Sequence, residues 1–101
     1  MFHAEQATWL ADRDPNNPVI QRLYVMTGFA LDYLDSRGEG FLASLTANRN
    51  LQDTELLIEA AAYRLRQGNI ESSEALLQRA EQLDDARYAT QIDSMKHLMA
   101  R

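Results

Sequence analysis

Residues 54–85, TELLIEAAAYRLRQGNIESSEALLQRAEQLDD, contain two helical patterns that a single glycine separates. The first pattern predicts a helix over about Thr54–Gln67 with two apolar faces, Leu57–Ala61–Leu65 and Leu56–Ala60–Tyr63. A helix that is apolar on two sides must be covered on both, so we expect neighbours on each side of it. Gly68 suits the left-handed residue that ends a helix, and Asn69 can cap the next one. The stretch therefore predicts a tight helical hairpin.

The remaining sequence predicts further helices on either side of this hairpin. They run over about His3–Asp12, Pro18–Ser36 and Phe41–Ala47, with a last helix that Asp84 or Asp85 caps. All four glycines are expected in turns, with Gly38 and Gly40 ending the helix that starts at Pro18. Because every connection is short, successive helices should be antiparallel neighbours. We expect an all-α fold of about six short antiparallel helices stacked as hairpins, in a single domain over residues 1–101.

Composition and charge narrow the classes of function. The chain of 101 residues has a formal net charge of −5 and no cysteine. Nucleic-acid binding requires clustered basic charge, and cysteine is needed for disulfides and thiolate metal sites, so none of these is expected. No stretch has the ~18 consecutive apolar residues of a membrane span, and the N-terminus lacks the features of a signal peptide. We expect a cytoplasmic protein that does not insert into membranes.

Residues 54–85 also resemble a tetratricopeptide repeat, a helical hairpin with a period of about 34 residues. The positions that match its pattern of large and small residues are Leu57, Ala60, Ala61, Gly68, Asn69, Ile70, Ser73, Leu77 and Ala80. Arg64 stands where the repeat usually has an aromatic residue, and Asp85 stands where it usually has proline. The alternative is a generic helical hairpin. In either case the hairpin relies on stacked neighbours to bury its apolar faces.

The chain is more specifically similar to the tetratricopeptide-like needle-subunit chaperones of bacterial type III secretion systems. The motifs that carry this resemblance are Tyr63–Gly68, Leu76–Ala80, Asp84–Asp85 and Met95–Lys96, with His3–Ala7 and Trp9–Leu10 near the N-terminus. The resemblance implies a chaperone that keeps a needle-forming subunit soluble by cradling its amphipathic C-terminal helix in an apolar groove. It also implies a heteromeric complex with a small helical co-chaperone. Fewer residues precede Trp9 than in that family, which leaves the co-chaperone contact open.

The best candidate for a binding surface is the aromatic and methionine set on the helix that starts at Pro18. Its members are Tyr24, Val25, Met26, Phe29 and Tyr33, and the alternative is that all of them belong to the core. A domain of this size has little interior, so exposed remnants of these faces would form a groove for an amphipathic helix. The residues predicted to line the partner-binding groove are Tyr24, Val25, Phe29, Tyr33, Leu57, Ala61 and Arg64.

No residue pattern favours catalysis, a metal or a cofactor. His3 and His97 lie at opposite ends of the chain, outside any ligand spacing. Residues 12–16 begin like a calcium loop, but Asn17 and Leu23 stand where that loop needs glycine and glutamate. We therefore predict a protein that is not an enzyme and has no catalytic residues, metal or cofactor. The alternative to a secretion chaperone is a homodimeric or adaptor module of the tetratricopeptide type with no secretion client.

Overall fold

The structure, a computed structural model, describes residues 2–100 and the side chains of residues 6–100. Within that range the chain is helical and contains no strand, which confirms the all-α class. The helices are α1 (Phe2–Arg13), α2 (Pro18–Ala30), α3 (Ser36–Ala47), α4 (Thr54–Arg66), α5 (Ile70–Gln82) and α6 (Ala89–Met99), and a 3₁₀ turn, Ala86–Tyr88, precedes α6. They group into two compact units, residues 1–51 and 52–101. The side chain of His3 lies outside the described residues.

The unit of residues 52–101 contains the predicted hairpin, with the Gly68 turn and the Asn69 cap where the sequence places them. The Asp53 carboxylate accepts a hydrogen bond from the Leu56 amide at 3.1 Å and starts α4. Gly68 has a φ of 79°, so the turn uses the left-handed conformation that glycine adopts without steric cost. The Asn69 side chain then accepts from the Ser72 amide at 3.2 Å and starts α5. These contacts confirm the predicted hairpin. Asp85, predicted to cap the last helix, instead caps the 3₁₀ turn, and α6 starts after Tyr88 without a side-chain cap.

Both apolar faces of α4 are covered. The helix contacts α5 and α6, and its buried residues are Thr54, Leu56, Leu57, Ile58, Ala60, Ala61 and Tyr63. Ser73 on α5 is fully buried, and its hydroxyl donates to the Ala61 carbonyl at 2.7 Å, which joins the two helices. Lys96 on α6 pairs with Glu81 on α5 at 2.6 Å. Ile70, which matches an apolar position of the repeat pattern, is exposed because it opens α5 beside the Gly68 turn.

The unit of residues 1–51 is built around α2, which packs against both α1 and α3. Asn17 caps α2 by accepting from the Val19 amide at 3.0 Å, and Pro18 occupies the first turn as predicted. The side-chain amide of buried Gln21 donates to the Pro15 carbonyl at 2.9 Å, which fixes the α1–α2 connection. The residues of α2 that are buried follow one another by single turns: Gln21, Val25 and Phe29.

The end of α2 differs from the prediction. The helix stops at Ala30 instead of Ser36, Asp32 adopts a left-handed φ of 57°, and α3 starts at Ser36 instead of Phe41. Asp35 causes the restart, because its carboxylate accepts from the Gly38 amide at 2.8 Å and caps α3. Gly28, Gly38 and Gly40 consequently lie inside helices, so the expectation that every glycine forms a turn is wrong.

Gly28 allows the segment of residues 31–35 to return against α2. The Tyr33 amide donates to the Gly28 carbonyl at 2.9 Å. A Cβ atom on Gly28 would lie 2.8 Å from the Tyr33 carbonyl oxygen and 2.8 Å from Cδ1 of Leu34, which is closer than side chains tolerate. Because Gly28 has no side chain, Tyr33 and Leu34 can pack closely against α2.

Candidate functional site

Large exposed apolar side chains are concentrated in one of the two units. Of the seven among residues 6–100, five belong to the unit of residues 1–51 and two to the other: Trp9, Val19, Leu23, Leu31 and Tyr33, against Ile70 and Leu98. Single exposed apolar residues are normal on protein surfaces, but a group beside a concave site marks a candidate binding surface. Leu31 and Tyr33 meet that condition, with exposed fractions of 48% and 68%.

A pocket of about 170 Å³ lies between α1, α2 and the segment of residues 31–35, and we call it the Tyr33 pocket. Its lining is Ala7, Thr8, Tyr24, Thr27, Gly28, Leu31, Tyr33, Leu34 and Asp35. Ala7 and Leu34 are nearly enclosed, so they form its floor, whereas Leu31 and Tyr33 stand at its exposed rim. The pocket exists because α2 ends at Ala30 and the following five residues fold back beside α1.

One wall of the Tyr33 pocket is polar and fixed by hydrogen bonds. The Tyr24 hydroxyl donates to Oδ2 of Asp35 at 2.6 Å, while Oδ1 of Asp35 accepts from the Gly38 amide at 2.8 Å. The Tyr24 ring also meets Phe41 of α3 edge to face, with centroids 5.3 Å apart. These contacts connect α2 to α3 and hold the Asp35 carboxylate in place at the pocket.

The same contacts shift the protonation of both groups. Burial, followed by the hydrogen bond to Asp35, raises the pKa of Tyr24 to about 12. The hydrogen bonds from Tyr24 and then Gly38 lower the pKa of Asp35 below its ordinary value. Asp35 is therefore a carboxylate at neutral pH. Nearby, Arg37 pairs with Asp12 at 2.7 Å, which links α3 to α1.

The seven residues predicted to line a groove fall into two groups. Four are buried, with exposed fractions of at most 4%: Val25, Phe29, Leu57 and Ala61. They are buried because α2 and α4 are each packed against two helices, so these side chains are core residues and offer no surface. Tyr33 is exposed and Tyr24 is half-buried at the Tyr33 pocket, which keeps both available to a partner.

Arg64 is half-buried in the other unit. Its guanidinium lies 5.7 Å from the centroid of the Tyr63 ring and donates to the Gln67 side chain at 2.9 Å. The predicted groove residues thus belong to two units: Tyr24, Val25, Phe29 and Tyr33 to one, and Leu57, Ala61 and Arg64 to the other. The groove as a whole stays a prediction.

Sequence reasoning missed Leu31, Leu34 and Asp35, which the structure places at the Tyr33 pocket. Leu31 and Leu34 continue the apolar spacing of α2, so the pattern assigned them to a longer helix. A signal was present in Asp32 and Asp35, since aspartate tolerates the left-handed conformation and is a preferred helix cap. Weighing these two residues above the apolar spacing would have ended the helix earlier.

The unit of residues 52–101 has a more open cleft of about 260 Å³ between α5 and α6. Its apolar lining residues are Leu77, Met99 and Ala100, and the Glu81–Lys96 ion pair also lines it. Among the residues that the structure describes, no group of three histidine or acidic side chains could hold a metal ion. None of the described helices is long and apolar enough to cross a membrane.

Comparison of the chain with protein-family models, with curated proteins and with solved structures finds no match in any of the three. The functional interpretation consequently depends on the geometry of the Tyr33 pocket and on the sequence motifs described above. The two overlap only at Ala7, because the other motifs that carry the resemblance involve no residue of the pocket lining.

Proposed function

We propose that this chain is a cytoplasmic type III secretion chaperone, which sequesters a small helical secretion or needle subunit by binding the subunit's amphipathic helix. In this proposal the protein acts by binding and not by catalysis. The observation that carries it is the exposure of Leu31 and Tyr33 at the rim of the Tyr33 pocket. The motif resemblance to needle-subunit chaperones supports the choice of a secretion subunit as the client.

Burial of these side chains would provide the free energy of binding. Each Å² of apolar surface removed from water contributes about 25 cal/mol before the cost of ordering the partners. Leu31 and Tyr33 have exposed fractions of 48% and 68%, so a partner gains from covering both. An amphipathic helix is the partner that presents apolar groups one turn apart to such a surface.

The hydrogen bonds around Asp35 favour a preformed surface. The Tyr24–Asp35 bond and the Asp35 cap of α3 fix the start of α3, and the Tyr33–Gly28 bond fixes the segment before it. Because the pocket is already ordered, binding of a partner does not carry the entropic cost of ordering it, and more of the free energy of burial remains as affinity.

Binding of a synthetic peptide tests the proposal. The probe is a fluorescent amphipathic helix of about 20 residues, long enough to form a helix, with a leucine stripe along one face. We expect Leu31→Asp and Tyr33→Asp each to weaken binding tenfold or more, about 1.4 kcal/mol, because a carboxylate would have to be buried. Leu98→Asp is the matched control, since Leu98 has a comparable exposed fraction of 56% but lies on α6, and this variant should bind the peptide as the unaltered chain does.

Two outcomes would contradict the proposal. If the Leu31, Tyr33 and Leu98 variants bind the peptide equally well, the helix docks elsewhere. If the chain alone sediments as a tight dimer that ignores the peptide and dissociates in Tyr33→Asp, a second copy covers the surface, and the homodimeric module is the better interpretation. Purification of the complex from the native cell then identifies the client, which we expect to be a small helical secretion subunit.

A further inference from the structure

We infer that the Tyr33 pocket recognises a paired feature of the partner helix: one large apolar side chain that fills the pocket, and a lysine or arginine one helical turn away that pairs with Asp35. This inference rests on the proposed function, and it specifies the chemistry of the partner. The juxtaposition that carries it is an apolar floor, Ala7 and Leu34, beside a carboxylate held at the wall of the same pocket.

The size of the pocket limits the occupant to a single side chain. An apolar cavity of about 150 Å³ accommodates a benzene-sized group, whereas pockets for small-molecule ligands usually measure about 300–1,000 Å³. At about 170 Å³ the Tyr33 pocket fits the side chain of one leucine or phenylalanine and is too small for a typical cofactor. Leu31 and Tyr33 at the rim would then contact the stem of the partner helix beside that anchor.

The carboxylate of Asp35 has capacity for a further donor. A carboxylate accepts about four hydrogen bonds, and the Tyr24 hydroxyl and the Gly38 amide take up part of that capacity. Arg37, whose positive charge acts on Asp35, is paired with Asp12 at 2.7 Å. These three residues together carry one positive and two negative charges, so they favour a cation over an anion at Asp35.

Helical geometry allows one partner helix to satisfy both parts of the site. Residues three or four apart on a helix lie on the same face with Cβ atoms about 5–6 Å apart. Because Asp35 and the apolar floor belong to one small pocket, a cation one turn from the anchor reaches the carboxylate while the anchor stays inserted. A glutamate at the same position of the partner would meet Asp35 as a like charge.

Two peptides and three forms of the full chain test the inference. The peptides are the leucine-stripe helix with lysine four residues from the central leucine, and the same helix with glutamate at that position. The proteins are the unaltered chain, Asp35→Asn and Asp53→Asn. Asparagine is as good a helix cap as aspartate, so each variant removes one charge while its helix start is retained. Asp53 caps α4 in the other unit and controls for the change in net charge.

We expect the unaltered chain and Asp53→Asn to bind the lysine peptide roughly two- to fivefold more tightly than the glutamate peptide, the range for a partly exposed ion pair. Asp35→Asn should bind both peptides equally, and added salt should reduce the preference of the unaltered chain. Equal binding of the two peptides by the unaltered chain, or a preference that persists in Asp35→Asn, overturns the inference and leaves the proposed function standing. If neither peptide binds, both fail.

Discussion

Residues 52–101 and residues 1–51 use similar helices but close their cores to different extents. In the first of these units, α4 buries both of its apolar faces, and a three-residue connection centred on Gly68 leads directly into α5. In the second, α2 is also packed on two sides, yet its connection to α3 carries Leu31 and Tyr33 outward. The difference lies in the connections. A short polar turn leaves a closed hairpin, whereas a five-residue apolar connection leaves a pocket with an exposed rim.

The largest expected difference between the two units is in stability. Leu57→Ala removes a side chain that is 1% exposed and should lower the free energy of unfolding by about 2–5 kcal/mol, because it leaves a cavity in the core. Leu31→Ala removes an exposed leucine from the rim of the Tyr33 pocket and should change it by no more than about 0.5 kcal/mol. Urea denaturation followed by circular dichroism measures both. Similar losses for the two variants would mean that Leu31 is a core residue and that the contrast between the units is wrong.

The sequence was sufficient for the α4–α5 hairpin because its helix boundaries depend on local chemistry. Asp53, Gly68 and Asn69 are residues whose side chains or backbone freedom define a helix end within a few positions. Each of them does so in the structure. A boundary of this kind can be read without knowing what packs against the helix.

The unit of residues 1–51 was harder to predict because the local signal of Asp32 and Asp35 competes with the apolar spacing of Leu31 and Leu34, and because one partner of Asp35 is distant in the sequence. The end of α2 depends on Asp35, whose partners Tyr24 and Gly38 lie eleven residues before it and three after it. For the site, Tyr24 and Tyr33 were predicted and lie at the pocket, whereas Val25 and Phe29 are buried. Periodicity shows which residues share a helical face, but the neighbours that cover a face are set by tertiary packing.

Alanine substitutions at two helical glycines should change the free energy of unfolding by smaller amounts and in opposite directions. Gly28→Ala would place a Cβ atom 2.8 Å from the Tyr33 carbonyl oxygen, so the connection must shift, and we expect a loss of about 1–3 kcal/mol. Gly40→Ala is the matched control, since no atom lies within 4 Å of its Cβ position. There the higher helix propensity of alanine should stabilise the protein by up to about 1 kcal/mol. Thermal unfolding measures whether each substitution lowers or raises the stability. Stabilisation by both substitutions would show that the connection does not approach α2 closely.

The smallest expected effect is a dependence of stability on alkaline pH that arises in the unit of residues 1–51. The pKa of Tyr24 is raised from 10.0 to about 12, so the protonated phenol is favoured in the folded state. This contribution is complete below pH 10 and is lost as the pH rises towards 12, because the unfolded chain ionises first.

Tyr24→Phe should therefore flatten the fall in unfolding free energy between pH 10 and 12, at a cost near neutral pH of about 1 kcal/mol for the lost hydrogen bond to Asp35. Urea unfolding at a series of pH values compares this variant with the unaltered chain. If Tyr24→Phe retains the full alkaline loss, Tyr24 does not hold its proton through Asp35, and the wall of the Tyr33 pocket is less rigid than the hydrogen bonds indicate.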